Sequence, residues 1–93
     1  MAEGDYLPRV MAVRVVRDRV VHLTFDDGLE GEVDLRPKLS SPVFDRLARD
    51  DEFFNQIDVD FETIVWPGDL DMAPEPLYDE VKAANADRST THR

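Results

Sequence analysis

The first third of the chain alternates apolar and polar residues with a period of two, which is typical of half-buried β-strands. Three such runs lie between Arg9 and Leu35. The positions predicted to face a core are Met11, Val13 and Val15; Val21, Leu23 and Phe25; and Leu29, Gly31, Val33 and Leu35. Directly opposed residues of antiparallel strands share a face. The pattern therefore predicts a three-stranded antiparallel meander with one apolar face.

The same alternation predicts the two turns of the meander. If Phe25 opposes Leu29, the connection is a three-residue loop, Asp26-Asp27-Gly28, in which Gly28 takes the positive φ that glycine adopts without steric cost. If Val15 opposes Val21, the first two strands join through a tight turn centred on Arg17-Asp18-Arg19. On the polar face, Arg14, His22 and Glu32 fall in one row, which we interpret as exposed cross-strand charges rather than a proton-transfer site.

Beyond Leu35 the apolar spacing changes to that of helices. Ser41 can cap a helix and Pro42 suits its first turn, and the predicted apolar face consists of Val43, Phe44, Leu47 and Ala48. Asp51 can start a second short helical turn, whose core candidates are Phe53, Phe54 and Ile57. A last helix is predicted to begin at Ala73-Pro74-Glu75 and to end at Asn85, with Leu77, Tyr78 and Val81 on one side.

A second hairpin is predicted between residues 57 and 66. Ile57, Val59 and Phe61 alternate with Asp58, Asp60 and Glu62, which indicates a strand with a negative outer face. Setting Val59 against Ile64 places Phe61-Glu62 at the tip, or within a wider four-residue loop of the same register. The second strand is predicted to end at Trp66, because Pro67-Gly68 follows, and an acidic loop then leads to the last helix.

Together these elements predict a single α+β domain over residues 9–85. It would contain a small antiparallel assembly, the three-stranded meander plus the second hairpin, packed with two principal helices. The strands would form one five-stranded sheet or two smaller sheets. Residues 1–8 are predicted to be a flexible N-terminus and residues 86–93 a disordered C-terminal tail. At 93 residues, most apolar side chains are needed for the core.

Composition excludes several classes of function. The formal net charge of −10 opposes contact with phosphate backbones, so we expect no nucleic-acid binding by the unaided domain and no binding to anionic membranes. The chain has no cysteine, and it has neither an apolar run of membrane-spanning length nor a signal-peptide pattern. We therefore expect a cytoplasmic protein without disulfides or thiolate chemistry.

Candidate binding residues lie around the end of the run Thr63–Trp66. They are Trp66, Pro67, Asp69, Asp71 and Tyr78. Asp69 and Asp71 could bind a divalent cation. However, the loop lacks the spacing of a calcium loop, and acidic residues before a helix commonly serve capping and dipole roles, so we expect no metal and no other cofactor. Trp66 could either anchor a protein partner or belong to the core.

No catalytic residue can be assigned from the sequence. A nucleophilic triad is not indicated, because cysteine is absent and neither histidine lies in a serine motif. Acidic residues are so abundant that a pair of them carries no signal for glycosidase chemistry. These observations favour a binding function over an enzymatic one.

Several segments together resemble a known family. They are Phe25-Asp26-Asp27-Gly28, Val33-Asp34-Leu35-Arg36-Pro37, Pro42-Val43-Phe44 with Leu47, and Thr63-Ile64-Val65-Trp66-Pro67-Gly68 followed by Asp71, Ala73-Pro74-Glu75 and Leu77-Tyr78. In this order and spacing, from Arg9 to Tyr78, the chain resembles the bacterial family Domain of Unknown Function 2442. It departs from the family pattern at the tip Phe61-Glu62-Thr63, which lacks a glycine, and at Met72 and Pro76.

The resemblance implies a small α+β domain, and it does not imply any enzymatic activity. Family members are sometimes fused to a helix-turn-helix domain, and stand-alone members resemble the small partner of a two-gene module that looks like a toxin–antitoxin pair. We therefore expect a non-catalytic protein-interaction module whose partner is a basic protein encoded by the adjacent gene. Sheet edges also offer a route to a homo-oligomer. The alternative is a small enzyme or ligand-binding domain that uses Asp69 and Asp71 beside Trp66 and Tyr78.

Overall fold

Two three-stranded antiparallel sheets and three α-helices make up residues 7–91, the part of the chain that the computed structural model describes. In chain order the elements are β1 (Val10–Arg17), β2 (Val20–Phe25), β3 (Glu30–Asp34), two 3-10 helices (Arg36–Leu39 and Pro42–Phe44), α1 (Asp45–Arg49), α2 (Asp51–Phe54), β4 (Asp58–Asp60), β5 (Thr63–Trp66), β6 (Leu70–Met72) and α3 (Pro74–Thr91). The α+β class is confirmed, and the strands form two smaller sheets.

The first sheet has the predicted order and pairing, β1-β2-β3. Val13 lies opposite Leu23, and Leu23 lies opposite Gly31. At the second turn the Phe25 amide donates to the Leu29 carbonyl at 2.8 Å, and Gly28 has a φ of +94°. The three-residue loop with a left-handed glycine is therefore confirmed, and it follows directly from the parity of the apolar positions.

The start of β1 departs from simple alternation. Val10 pairs with Phe25 and Ala12 with Thr24, so Met11 is an extra residue in a β-bulge. A bulge reverses the alternation of side chains along a strand. As a result Val10 is fully buried while Met11 is 57% exposed. The prediction that Met11 faces the core is wrong for this reason.

The first turn of the meander is also tighter than predicted. A second irregularity between Val15 and Arg17 sets Arg17 opposite Val20, so the turn itself consists of Asp18 and Arg19. Asp18 takes a positive φ of 44°. Arg19 is buried, although a turn residue with a charged side chain is usually exposed.

The second sheet contains one strand more than the predicted hairpin, in the order β4-β5-β6. Val59 lies opposite Ile64 as expected. Leu70 then lies opposite Trp66, where an acidic loop was predicted. The chain reverses at Pro67-Gly68-Asp69, in which Gly68 and Asp69 have positive φ. Because β6 has only three residues, its apolar alternation is too short to indicate a strand from sequence.

The tip of the β4–β5 hairpin is a two-residue turn. Asp60 lies opposite Thr63, which leaves Phe61 and Glu62 as the turn residues, with φ values of 51° and 66°. Phe61 is 90% exposed. The prediction that Phe61 continues the buried face of the strand is therefore wrong, because the chain turns before that side chain can point inward.

The core lies between the two sheets and the helices. Its buried apolar residues are Val10, Val21, Leu23, Phe25, Val33, Leu35, Leu39, Leu47, Phe53, Phe54, Ile64, Trp66, Met72, Leu77 and Val81. The predicted cap is present, since the Ser41 hydroxyl accepts from the Val43 amide. Phe53 and Phe54 are core residues as expected, whereas Val43 is 60% exposed and its predicted core position is wrong, because the first turn is a separate 3-10 helix.

The last helix, α3, packs on β3, and its residues Leu77 and Val81 are fully buried. A Cβ atom at Gly31 would lie 3.0 Å from Val81 Cγ1, so glycine permits this close approach. The helix runs past its predicted end at Asn85, whose side chain instead donates to the Glu30 carbonyl. That prediction is wrong, and the high helix propensity of the neighbouring alanines explains the extension. Residues 1–6 of the predicted flexible N-terminus and residues 92–93 of the predicted disordered tail lie outside the described residues.

Candidate functional site

A depression of about 380 Å³ lies on the second sheet beside the β5–β6 turn. It is lined by Asp60, Val65, Trp66, Pro67, Gly68, Asp69, Leu70 and Asp71. The structure thus brings together four of the five binding residues predicted from sequence. The fifth, Tyr78, is not among the lining residues.

Strand register determines which carboxylates gather here. Asp58 lies opposite Val65, and Val65 lies opposite Asp71, so the three residues form one row across the sheet. Opposed residues share a face. The adjacent row consists of Val59, Ile64 and Met72, whose side chains point to the opposite face of the sheet. Ile64 and Met72 belong to the core, and Val59 packs against it. The outer face of the second sheet therefore presents carboxylates on both sides of Val65.

The charge of this face is not neutralised from within the described residues. We define the acidic face as Asp58, Asp60, Asp69 and Asp71, all of which are exposed. Among the side chains of residues 7–85, none of the four forms an ion pair with a basic group. Nor does this part of the chain contain a group of three or more side chains placed to hold a metal ion. The face can therefore attract cationic groups from outside the domain.

Trp66 is a core residue that also lines the depression. It is only 3% exposed, and its indole Nε1–H donates to the Phe54 carbonyl at 3.1 Å. Its ring lies 5.9 Å from that of Phe54 and 6.5 Å from that of Phe44, measured between centroids. The sequence left open whether Trp66 anchors a protein partner or belongs to the core, and in the structure it belongs to the core.

Tyr78 serves a different part of the molecule. Its ring packs edge-on against Phe25, with 5.0 Å between centroids, and its hydroxyl donates to Asp27 Oδ2 at 2.5 Å. This hydrogen bond, with a second from the Leu29 amide, holds the pKa of Asp27 below its ordinary value. The same bond raises the pKa of Tyr78. Tyr78 therefore ties the β2–β3 turn to α3.

This contact makes a testable prediction. Tyr78→Phe removes the hydroxyl donor, so the pKa of Asp27 should rise toward its ordinary value. Because a depressed carboxyl pKa adds stability above the unfolded-state pKa, the stability from this bond should be lost as pH falls below about 4. The carboxyl pKa values can be measured by NMR titration. Asp50, whose pKa is lowered chiefly by the Phe53 amide, is the internal control and should not change.

One feature of this region was missed by sequence reasoning: Asp60, on β4, lines the depression together with the residues around the β5–β6 turn. The tip Phe61-Glu62, predicted from the pairing of Val59 with Ile64, is confirmed. On the first sheet, the predicted row of Arg14, His22 and Glu32 is present.

Comparison with known proteins identifies one family. A family model described as "Protein of unknown function (DUF2442)" matches residues 10–83 of the 93-residue chain. No curated protein and no solved structure shows significant similarity. Among residues 7–91, no helix has both the length and the apolar composition needed to cross a membrane.

Proposed function

This chain belongs to the family of proteins of unknown function DUF2442, and we propose its function from the properties of its surface. In this proposal it is a non-catalytic protein-interaction module that binds a basic partner through the acidic face. One observation carries the proposal. Asp58 and Asp71 flank Val65, Asp60 and Asp69 line the depression with it, and none of the four has an ion pair among the side chains of residues 7–85.

The contrast with carboxylates elsewhere supports this proposal. Many of them lie beside an arginine or lysine of the domain itself: Asp18, Glu32, Asp45, Asp50, Asp51, Glu62 and Glu80. Neighbouring carboxylates without counter-ions repel one another and gain from a cationic ligand. A basic protein that covers the acidic face would supply this charge, and the attraction would also accelerate its association.

The partner is proposed to be a basic protein encoded by the adjacent gene, with this domain as the antitoxin-like member of a two-gene module. The resemblance of the chain to stand-alone family members supports this choice, and both proteins are proposed to act in the cytoplasm. A homo-oligomer is less favoured at this surface, because two chains of net charge −10 repel each other. The same charge underlies the proposal that the domain does not bind nucleic acid unaided.

The alternative is a small enzyme or ligand-binding domain that uses Asp69 and Asp71 beside Trp66 and Tyr78. The depression does have a volume typical of small-molecule sites. However, the Trp66 indole is buried in the core, and Tyr78 lies outside the depression and donates to Asp27. Neither aromatic side chain is therefore available to a ligand beside Asp69 and Asp71. The interaction function therefore has the better support.

Charge neutralisation tests the proposal. The domain is co-expressed with the neighbouring gene product, and the association rate of the purified pair is measured by surface plasmon resonance. Asp60→Asn/Asp71→Asn should lower the association rate constant about tenfold at low salt, because steering depends on local charge. The difference from wild type should shrink as salt is raised.

The control is Glu52→Gln/Asp79→Asn, which makes the same change in net charge at exposed positions outside the depression. It should alter the rate less than twofold. Equal effects of the two double variants would refute a local acidic face. If the neighbour does not bind and the isolated domain turns over a metabolite in an unbiased screen, the enzyme alternative replaces the interaction function.

A further inference from the structure

Two exposed apolar side chains flank a hydrogen bond that joins the two sheets. The Val10 amide, at the start of β1, donates to the Glu62 carbonyl, at the tip of the β4–β5 hairpin, at 3.0 Å. Met11 follows Val10, and Phe61 precedes Glu62. These two residues, here called the apolar tip, are 57% and 90% exposed. Large apolar side chains in such exposed positions gain nothing from the core of a domain this small.

The backbone at Phe61 is unfavourable for the residues that occupy it. A two-residue hairpin turn with positive φ at both positions is the type that favours Asn-Gly, because a Cβ atom crowds the backbone in this conformation. Here phenylalanine and glutamate stand at φ values of 51° and 66°. Residues held in sparsely populated conformations occur preferentially at functional sites. The observed strain thus accompanies the most exposed large apolar side chain of the described residues.

Met11 becomes exposed through a separate irregularity. The β-bulge between Val10 and Ala12 turns Met11 away from the core that simple alternation would have given it. Bulges are frequent next to functional sites, where they redirect a side chain. Two independent backbone features therefore expose apolar side chains within one residue of the same hydrogen bond.

We infer that the apolar tip, Met11 and Phe61, inserts into an apolar pocket rimmed by basic residues on the partner protein. This inference rests on the proposed function and identifies the residues that anchor the partner. Aromatic residues and methionine are enriched in the buried centres of interfaces, whereas charged residues at the rim contribute mainly to association rate. Asp60, which precedes Phe61, belongs to the acidic face, so the rim of the pocket beside it should be basic. Glu62, which follows Phe61, lies 3.7 Å from Arg9 within the domain.

Charge decides against a second copy of this chain as the occupant. Asp58 and Asp60 on β4 lead directly into the tip, and the whole chain carries a net charge of −10. Two copies that met through their tips would bring these carboxylates together, which is unfavourable. A basic partner instead places opposite charges around the apolar contact.

The test replaces the tip with the residues that the turn prefers. Phe61→Asn/Glu62→Gly should raise Tm by about 4–8 °C, because it relieves the turn. The same variant should weaken binding of the purified neighbouring gene product about 30-fold or more, as measured by isothermal titration calorimetry, because the anchor is lost. Phe61→Leu, which keeps an apolar side chain, should bind within about fivefold of wild type. Val43→Asn removes an exposed apolar side chain from the 3-10 helix Pro42–Phe44, outside both the tip and the acidic face, and should bind as wild type does.

Each other outcome overturns the inference. Unchanged affinity of Phe61→Asn/Glu62→Gly, together with slower association of Asp60→Asn/Asp71→Asn, would refute the anchor and leave the proposed function in place. Lost binding with a lowered Tm would mean that Phe61 supports the fold. If sedimentation shows a wild-type dimer that the tip variant abolishes, the tip is a homodimer contact. If the wild-type domain does not bind the neighbour, the inference and the proposed function fail together.

Discussion

Trp66→Ala is expected to lower the free energy of unfolding by about 3–5 kcal/mol, the usual cost of removing a large aromatic side chain from a core. The indole is almost fully buried between Phe44 and Phe54, and it joins the second sheet to α2 through its hydrogen bond to the Phe54 carbonyl. The free energy can be measured by urea denaturation followed by far-UV circular dichroism. Such a loss is a large fraction of the stability of a domain of this size.

Trp66→Phe separates the two contributions of the side chain. Phenylalanine keeps an aromatic ring beside Phe54 but cannot donate to its carbonyl, so the expected loss is smaller, about 1–3 kcal/mol. A different result would change the role of this residue. If Trp66→Ala costs less than about 1 kcal/mol and impairs only partner binding, the indole acts at the surface rather than in the core.

Arg19→Met is expected to lower the free energy of unfolding by about 2–4 kcal/mol, because it leaves buried acceptors without donors. The Arg19 guanidinium is buried and donates to the Leu47 carbonyl at 2.8 Å and the Ala48 carbonyl at 3.0 Å. These carbonyls belong to the last turn of α1, where a helix has no donors of its own. A cation there also complements the helix dipole. Arg19 thus fastens the β1–β2 turn to α1.

The matched control is Arg49→Met, which removes an exposed arginine that belongs to α1 itself. Arg49 pairs with Asp45 one turn away at 2.8 Å, and exposed pairs of this spacing contribute about 0.3–0.5 kcal/mol. Urea denaturation of both variants provides the comparison. Similar small losses at the two positions would show that the carbonyls of α1 find other donors. Arg19→Lys should remain destabilising, because one ammonium does not reproduce the planar guanidinium.

The features that were predictable from sequence are those set by neighbours along the chain. The parity of Val21, Leu23 and Phe25 is enough to assign the faces of β2, and the same parity requires a three-residue loop ending at Gly28. Ser41 followed by Pro42 marks a helix start through local hydrogen bonding and the restricted φ of proline. These signals are local, so tertiary structure preserved them.

The features that escaped prediction depend on contacts between distant segments. β6 forms because its three residues pair with β5. Three residues are too few to show the apolar–polar alternation by which a strand is predicted. Met11 is turned away from the core by a β-bulge, which reverses the alternation of side chains between the two faces of the strand. Nothing in the sequence marks the position of this bulge. Arg19 looks like an exposed turn residue until α1 places two carbonyls beside it. In each case the deciding atoms lie outside the local segment.

The candidate site shows the same division. The α+β class, the faces of most strands, the strong negative charge and the occurrence of Trp66, Pro67, Asp69 and Asp71 in one stretch are all readable from the chain alone. The core position of Trp66, the bond from Tyr78 to Asp27 and the placement of Asp58 and Asp71 beside Val65 are visible only in three dimensions. Alternation and turn preferences act over a few residues, whereas burial and the grouping of charges depend on which strands become neighbours.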